Sequence, residues 1–89
     1  MTLRIESVSD EHGTRIRLIG RMQAQHVEEL QAQIGASGAR RVVLDLEELS
    51  LVDIDAVRFL GTCQSGGISI VHGPPYIDEW IAKERGRDT

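Results

Sequence analysis

The sequence predicts an α/β fold, a four-stranded mixed sheet in the order β-β-α-β-α-β-α with the helices packed mainly on one face. Three observations carry that prediction. Two alternating segments lie close together near the N-terminus, an unbroken apolar run occupies the middle, and helix-period segments are interleaved with the strands that follow. With 89 residues, 40% of them hydrophobic, the chain makes one domain with little core to spare. Residues 1–84 are assigned to that domain and 85–89 to a frayed polar tail.

Leu3–Val8 alternates, with Leu3 and Ile5 on one side and Arg4 and Glu6 on the other, as a half-buried strand does. Asp10-Glu11-His12-Gly13 reads as a turn. Thr14–Ile19 then sets Ile16 and Leu18 against Arg15 and Arg17, so the two strands form an antiparallel hairpin. Gly20-Arg21-Met22 breaks the pattern. From about Ala24, the residues Val27, Leu30 and Ile34 fall at i, i+3 and i+7, one face of an amphipathic helix of roughly ten residues. Gly35 and Gly38 bracket its end.

Arg41–Leu46 carries Val42, Val43, Leu44 and Leu46 with only Asp45 interrupting, which suits a strand covered on both faces or nearly so. Leu49, Leu51 and Val52 continue the burial through a loop. From about Asp55, the residues Ala56, Val57, Phe59, Leu60 and Cys63 give a short helix, and Gly66-Gly67 releases the chain into Ile68–Val71. Strand, helix, strand implies a crossover and a parallel pair, Arg41–Leu46 beside Ile68–Val71. His72-Gly73-Pro74-Pro75 is a loop, because proline interrupts a strand interior yet suits the first turn of a helix. Ile77, Trp80 and Ile81 make the last helix, with the Trp80 ring packed on the sheet.

Ten basic against fourteen acidic residues give a net charge of -4, the wrong sign for a phosphate-backbone partner, so no nucleic acid is expected. The single cysteine, Cys63, has no internal disulfide partner and points to a reducing compartment. No apolar run approaches the ~18 residues of a membrane span, and the N-terminus lacks a signal-peptide pattern. The expectation is a cytoplasmic protein with no direct membrane insertion.

Asp45, Glu47, Glu48, Asp53 and Asp55 put five carboxylates within eleven residues, and three readings compete. Asp53 or Asp55 can cap the following helix, accepting backbone N–H bonds at the positive end of its dipole. A metal-dependent enzyme site at Asp45, Asp53 and Asp55 is the second reading. It meets a geometric objection, since side chains at i and i+2 diverge by about 200° once a helix begins between them. The third treats the helix start as a docking surface on which charge is the signal. Elsewhere, His12, His26 and His72 are scattered and read as surface residues, Cys63 as a packing residue, and Arg40 and Arg41 as solvated charge. Ser50, Ser65 and Ser69 lack the context of a hydrolase elbow. These residues give no catalytic group, no metal site and no cofactor.

Val42-Val43-Leu44-Asp45-Leu46, followed by Leu49-Ser50-Leu51-Val52-Asp53, two residues and a helix, resembles the central signature of the STAS domain, found in sulfate transporters and anti-sigma-factor antagonists. Ile19-Gly20-Arg21-Met22 is similar to that family's segment before its first helix, and Ile68–Pro75 to its last strand and proline turn. The resemblance implies a non-enzymatic protein-interaction module of bacterial signalling and transcription regulation. Its partner would be a protein such as an anti-sigma factor of the ATPase-type kinase class or a sensor kinase. The alternative it implies is a ligand-sensing or accessory subunit of a transporter or sensor-kinase complex. The partner surface it implies is Asp53, Ile54, Asp55, Ala56, Arg58 and Phe59. In the antagonists, the second residue after the motif's aspartate is a serine or threonine phosphorylated by the partner, and a glycine follows. Here Ile54, Asp55 and Ala56 stand there, so the phosphoacceptor-equivalent residue, Asp55, has no hydroxyl to modify. A carboxylate carries one fixed charge, against about -1.5 to -2 for a phosphoserine.

Overall fold

The computed structural model describes residues 3–36, 38 and 41–87, and Arg40, Asp88 and Thr89 fall outside that range. Its longest strand is β2 (Gly13–Met22), and the sheet is assembled around it. On one side β1 (Leu3–Asp10) pairs with it antiparallel, from Leu3 opposite Gly20 to Asp10 opposite Gly13. On the other side two short strands run parallel to it, one beyond the other. β3 (Val42–Asp45) lies against Thr14–Arg17, and β4 (Leu49–Val52) lies against Gly20–Met22. β5 (Ser69–Val71) adds to the outer side of β3, also parallel, as the strand-helix-strand order predicted.

β4 is the addition to the expected four strands, occupying a stretch that reads as a loop. Its backbone is recruited by β2: Gly20 N donates to Glu48 O at 3.1 Å, Asp53 N donates to Met22 O at 3.2 Å, and Ser50 Oγ donates to Gly20 O at 2.8 Å. The pairing register shifts between Gly20 and Arg21, where Gly20 takes a φ of 102° that suits only glycine comfortably. At the hairpin turn Gly13 (φ 150°) leaves room for a carbonyl, since a Cβ there would lie 2.4 Å from Arg41 O. Thr14 N donates to that same oxygen at 2.7 Å.

Strand alternation divides the sheet into two unlike faces. Ile16, Leu18, Leu44 and Leu46 are completely buried beneath the helices, with Leu3 and Ile5 packed at the edge of the same cluster. Helix α1 (Ala24–Ala36) contributes Leu30, and α2 (Ile54–Ser65) contributes Ala56, Val57, Leu60 and Cys63. Helix α3 (Pro75–Arg87) contributes Ile77 and Ile81. Each fully buried leucine or isoleucine stabilises the fold by about 1.5–3 kcal/mol relative to an exposed one. Burial also pushes the Cys63 thiol up to about 11, as a packing residue requires and a nucleophile does not. Trp80 is half-buried against this core. α3 runs through Arg87, so Arg85 and Gly86 are helical rather than part of a polar tail.

The opposite face carries charge. Arg17 pairs with its cross-strand neighbour Glu6 at 3.5 Å and with Glu48, and Arg4 reaches Glu6 at 3.1 Å. Arg15 donates to Asp45 Oδ2 at 2.7 Å. Asp45, expected as the one polar break in a buried strand, is therefore on the face away from the helices, yet its side chain is only 5% exposed.

Candidate partner-binding surface

The start of α2 is fixed by one carboxylate. Asp53, in extended conformation, is the N-cap: its Oδ1 accepts from Ala56 N at 2.9 Å, and its Oδ2 accepts from Ala24 N, the first residue of α1, also at 2.9 Å. One side chain thus satisfies N–H groups at the beginnings of two helices, groups that have no partner within their own helix. α1 has a second device at the same end. Gln23 N donates to His26 Nδ1 at 3.0 Å and Gln23 O accepts from His26 N at 2.9 Å, a reciprocal arrangement like a capping box. His26 is consequently buried, not the surface residue its isolation in sequence predicts.

Asp55 lies in the first turn of α2, exposed, and its side chain has no hydrogen-bond or ion-pair partner among the described residues. Arg58, one turn on, is exposed and donates from Nε to Glu84 Oε1 of α3 at 3.3 Å. Ile54 is 39% exposed. Of the six residues expected to form the surface, Ile54, Asp55 and Arg58 therefore face solvent. Phe59 and Asp53 are half-buried, and Ala56 is completely buried in the core, which removes it from any contact with a partner.

Two residues join this surface that the sequence reading did not place there. Leu51, on β4, is 51% exposed, and Tyr76, in the first turn of α3, is 46% exposed. The Tyr76 hydroxyl donates to the carbonyl of Ser50, which draws the start of α3 to the strand that leads into α2. Leu51, Ile54 and Tyr76 are three of the four large apolar side chains exposed among the described residues, and the fourth, Val8, is on the hairpin. Regular alternation would put Leu49 and Leu51 on one face; the register shift opposite Gly20 and Arg21 sends one leucine inward and the other out, and nothing in the local pattern signals it.

Asp45, Asp53 and Asp55 do not converge. Asp53 is committed to two helix starts, while Asp45 is held by Arg15, by Glu47 N at 3.0 Å and by His72 Nδ1 at 3.3 Å from its Oδ1. Burial raises the Asp45 carboxyl, but the Arg15, Glu47 and His72 contacts outweigh it and hold the group below its ordinary value of 3.8. His72 is exposed, as expected of a surface histidine, but it is not isolated: a left-handed backbone (φ 58°) at the end of β5 brings it to Asp45.

With the sheet order and the α2 start defined, solved structures with the same arrangement can be named. An anti-sigma-factor antagonist STAS domain from Rhodobacter sphaeroides matches with a TM-score of 0.63 at 21% identity, over 80% of this chain and 87% of that one. The fold is STAS-like. A DUF3478-family protein from Shewanella loihica PV-4, described as having a SpoIIAA-like fold, matches with a TM-score of 0.57 at 13% identity, over 99% of this chain and 80% of that one. No protein-family model and no curated protein matches the sequence. At these identities the STAS-like architecture is what the proteins share. Among the described residues no helix is long and apolar enough to cross a membrane.

Proposed function

We propose that this protein is a non-enzymatic protein-interaction module of bacterial regulation, working in the cytoplasm in the manner of an anti-sigma-factor antagonist. Its partner surface is Ile54, Asp55 and Arg58 of α2, flanked by Leu51 and Tyr76. One observation carries the reading: the first turn of α2 holds an exposed carboxylate with no partner among the described residues, and three of the four large exposed apolar side chains, Leu51, Ile54 and Tyr76, belong to the strand that leads into that turn, to the turn itself and to the helix start bonded to that strand. The STAS-like fold shared with an anti-sigma-factor antagonist supports it. Asp55 cannot be phosphorylated as a serine is, so binding is set by a permanent charge and not by a kinase and phosphatase.

The test begins with affinity purification from the source cell, and titrates the recovered partner against variants. Asp55→Lys and Leu51→Ser are each expected to weaken binding by about tenfold or more. Full affinity in both Asp55→Ser and Asp55→Lys would remove this surface from the account.

A groove of about 760 Å³ between α2 and α3, lined in part by Arg58, Gly61, Thr62, Ile81 and Arg85, favours a second reading as a ligand-sensing or accessory subunit. In that case a small anion protects the Arg85 region from hydrogen exchange, and Asp55→Lys has no effect.

A further inference from the structure

We propose that Asp45, Glu47 and His72 form a binding site for one divalent transition-metal ion of the zinc class, separate from the α2 surface. β3 and β5 are parallel neighbours with Asp45 opposite Val71, so the chain leaves both strands side by side. In open α/β sheets, ligands gather just outside the carboxyl ends of parallel strands. Glu47 follows β3 by two residues and His72 follows β5 directly. One ligand atom from each of the three residues lies within 4.8 Å of the others.

The spacing fits a small ion. Asp45 Oδ1 and His72 Nδ1 are 3.3 Å apart. Two ligands on a tetrahedral ion with bonds of about 2.0 Å are separated by roughly 3.3 Å, so these atoms stand at the ends of one tetrahedral edge. Glu47 is exposed and free to swing its carboxylate onto the third corner, leaving the fourth to water. One imidazole nitrogen with two carboxylate oxygens suits zinc or nickel. Magnesium and calcium favour oxygen throughout.

Asp45 is already prepared for the role. Its Oδ2 is held by Arg15 at 2.7 Å and its Oδ1 accepts from Glu47 N at 3.0 Å, which together fix the plane of the carboxylate with the second lone pair of Oδ1 on the side of His72. Outer partners of this kind orient metal-ligating carboxylates. The Arg15 cation offsets one of the two carboxylate charges, so the site binds moderately. Bound metal ties the turn after β3 to the loop that leads into α3, and the melting temperature rises with it.

The experiment is calorimetric titration of the full, untagged chain with Zn²⁺ and with Mg²⁺ at neutral pH, alongside thermal melts and histidine NMR. Zn²⁺ is expected to bind at one equivalent, to raise the melting temperature and to shift the ring signals of His72 but not those of His12 or His26. Mg²⁺ gives no saturable heat. His72→Gly suits the φ of 58° and keeps the backbone, and Glu47→Gln changes an exposed side chain. Both are expected to weaken Zn²⁺ binding by at least about tenfold while leaving the circular dichroism unchanged. Absence of saturable Zn²⁺ binding in the natural chain, or undiminished binding in both variants, overturns the site.

Discussion

Asp53 and Asp55 are two residues apart, and the structure gives them unrelated jobs. Asp53 caps α1 and α2 together. Its replacement by alanine is expected to cost about 2 kcal/mol, read as a lowered midpoint in urea unfolding, because two helix starts lose their acceptor at once. Asp55→Ser forfeits only the interaction with the helix dipole, about 0.3–1 kcal/mol, so the same measurement separates the two carboxylates. Asp45 contributes in a third way. Its pKa is depressed in the folded chain, so its stabilisation is fully present above its ordinary value of 3.8 and is lost as pH falls through the lower folded value. The stability gap between the natural chain and Asp45→Asn should therefore start to narrow only as pH falls below about 3.8 and close below the lowered folded value, where the natural residue is protonated too. A stability gap between the two that stays constant from neutral pH into acid contradicts this account.

At the scale of elements, β4 decides how the surface is laid out. Leu49 is 2% exposed beneath the helices, and Leu51, two residues on, is 51% exposed. Leu49→Ala is expected to lose about 2–5 kcal/mol of stability, and Leu51→Ala to stay within about 0.5 kcal/mol, both by denaturant titration. Equal losses would mean that β4 buries both. Helix and strand identities were legible from the 27–30–34 and 77–80–81 spacings and from the alternation of β1 and β2. β4 was not, because four residues without strict alternation, two residues before a helix, carry no periodic signal. Its hydrogen bonds come from Gly20–Met22, nearly thirty residues upstream, which local pattern does not register.

At the scale of the molecule, the β1–β2 hairpin, the parallel β3–β5 pair and the covered face follow from sequence patterning, the pairing of β2 with β3 and β4 does not, and the STAS resemblance pointed to the fold that structural comparison supports. The carboxylate cluster was legible as a cluster but not as a division of labour. Nothing local tells Asp53 from Asp55 until α1 is seen to start beside α2. Likewise His72 meets Asp45 only because β5 lies next to β3. The contacts that sequence reading missed, Tyr76 to Ser50 and His72 to Asp45, join segments more than twenty residues apart.

The charged face has a consequence for how copies of the chain behave at high concentration. β1 is the longest of the edge strands of the sheet, with eight residues, long enough to template a fibril. In-register stacking of identical copies would set Arg4 on Arg4 and Glu6 on Glu6, so the alternating charges act as gatekeepers against polymerisation. Replacing both with valine is expected to turn a clear concentrated solution turbid, with thioflavin fluorescence rising, while folding at low concentration is retained. A solution that stays clear would show that this rim is guarded by something other than its ions.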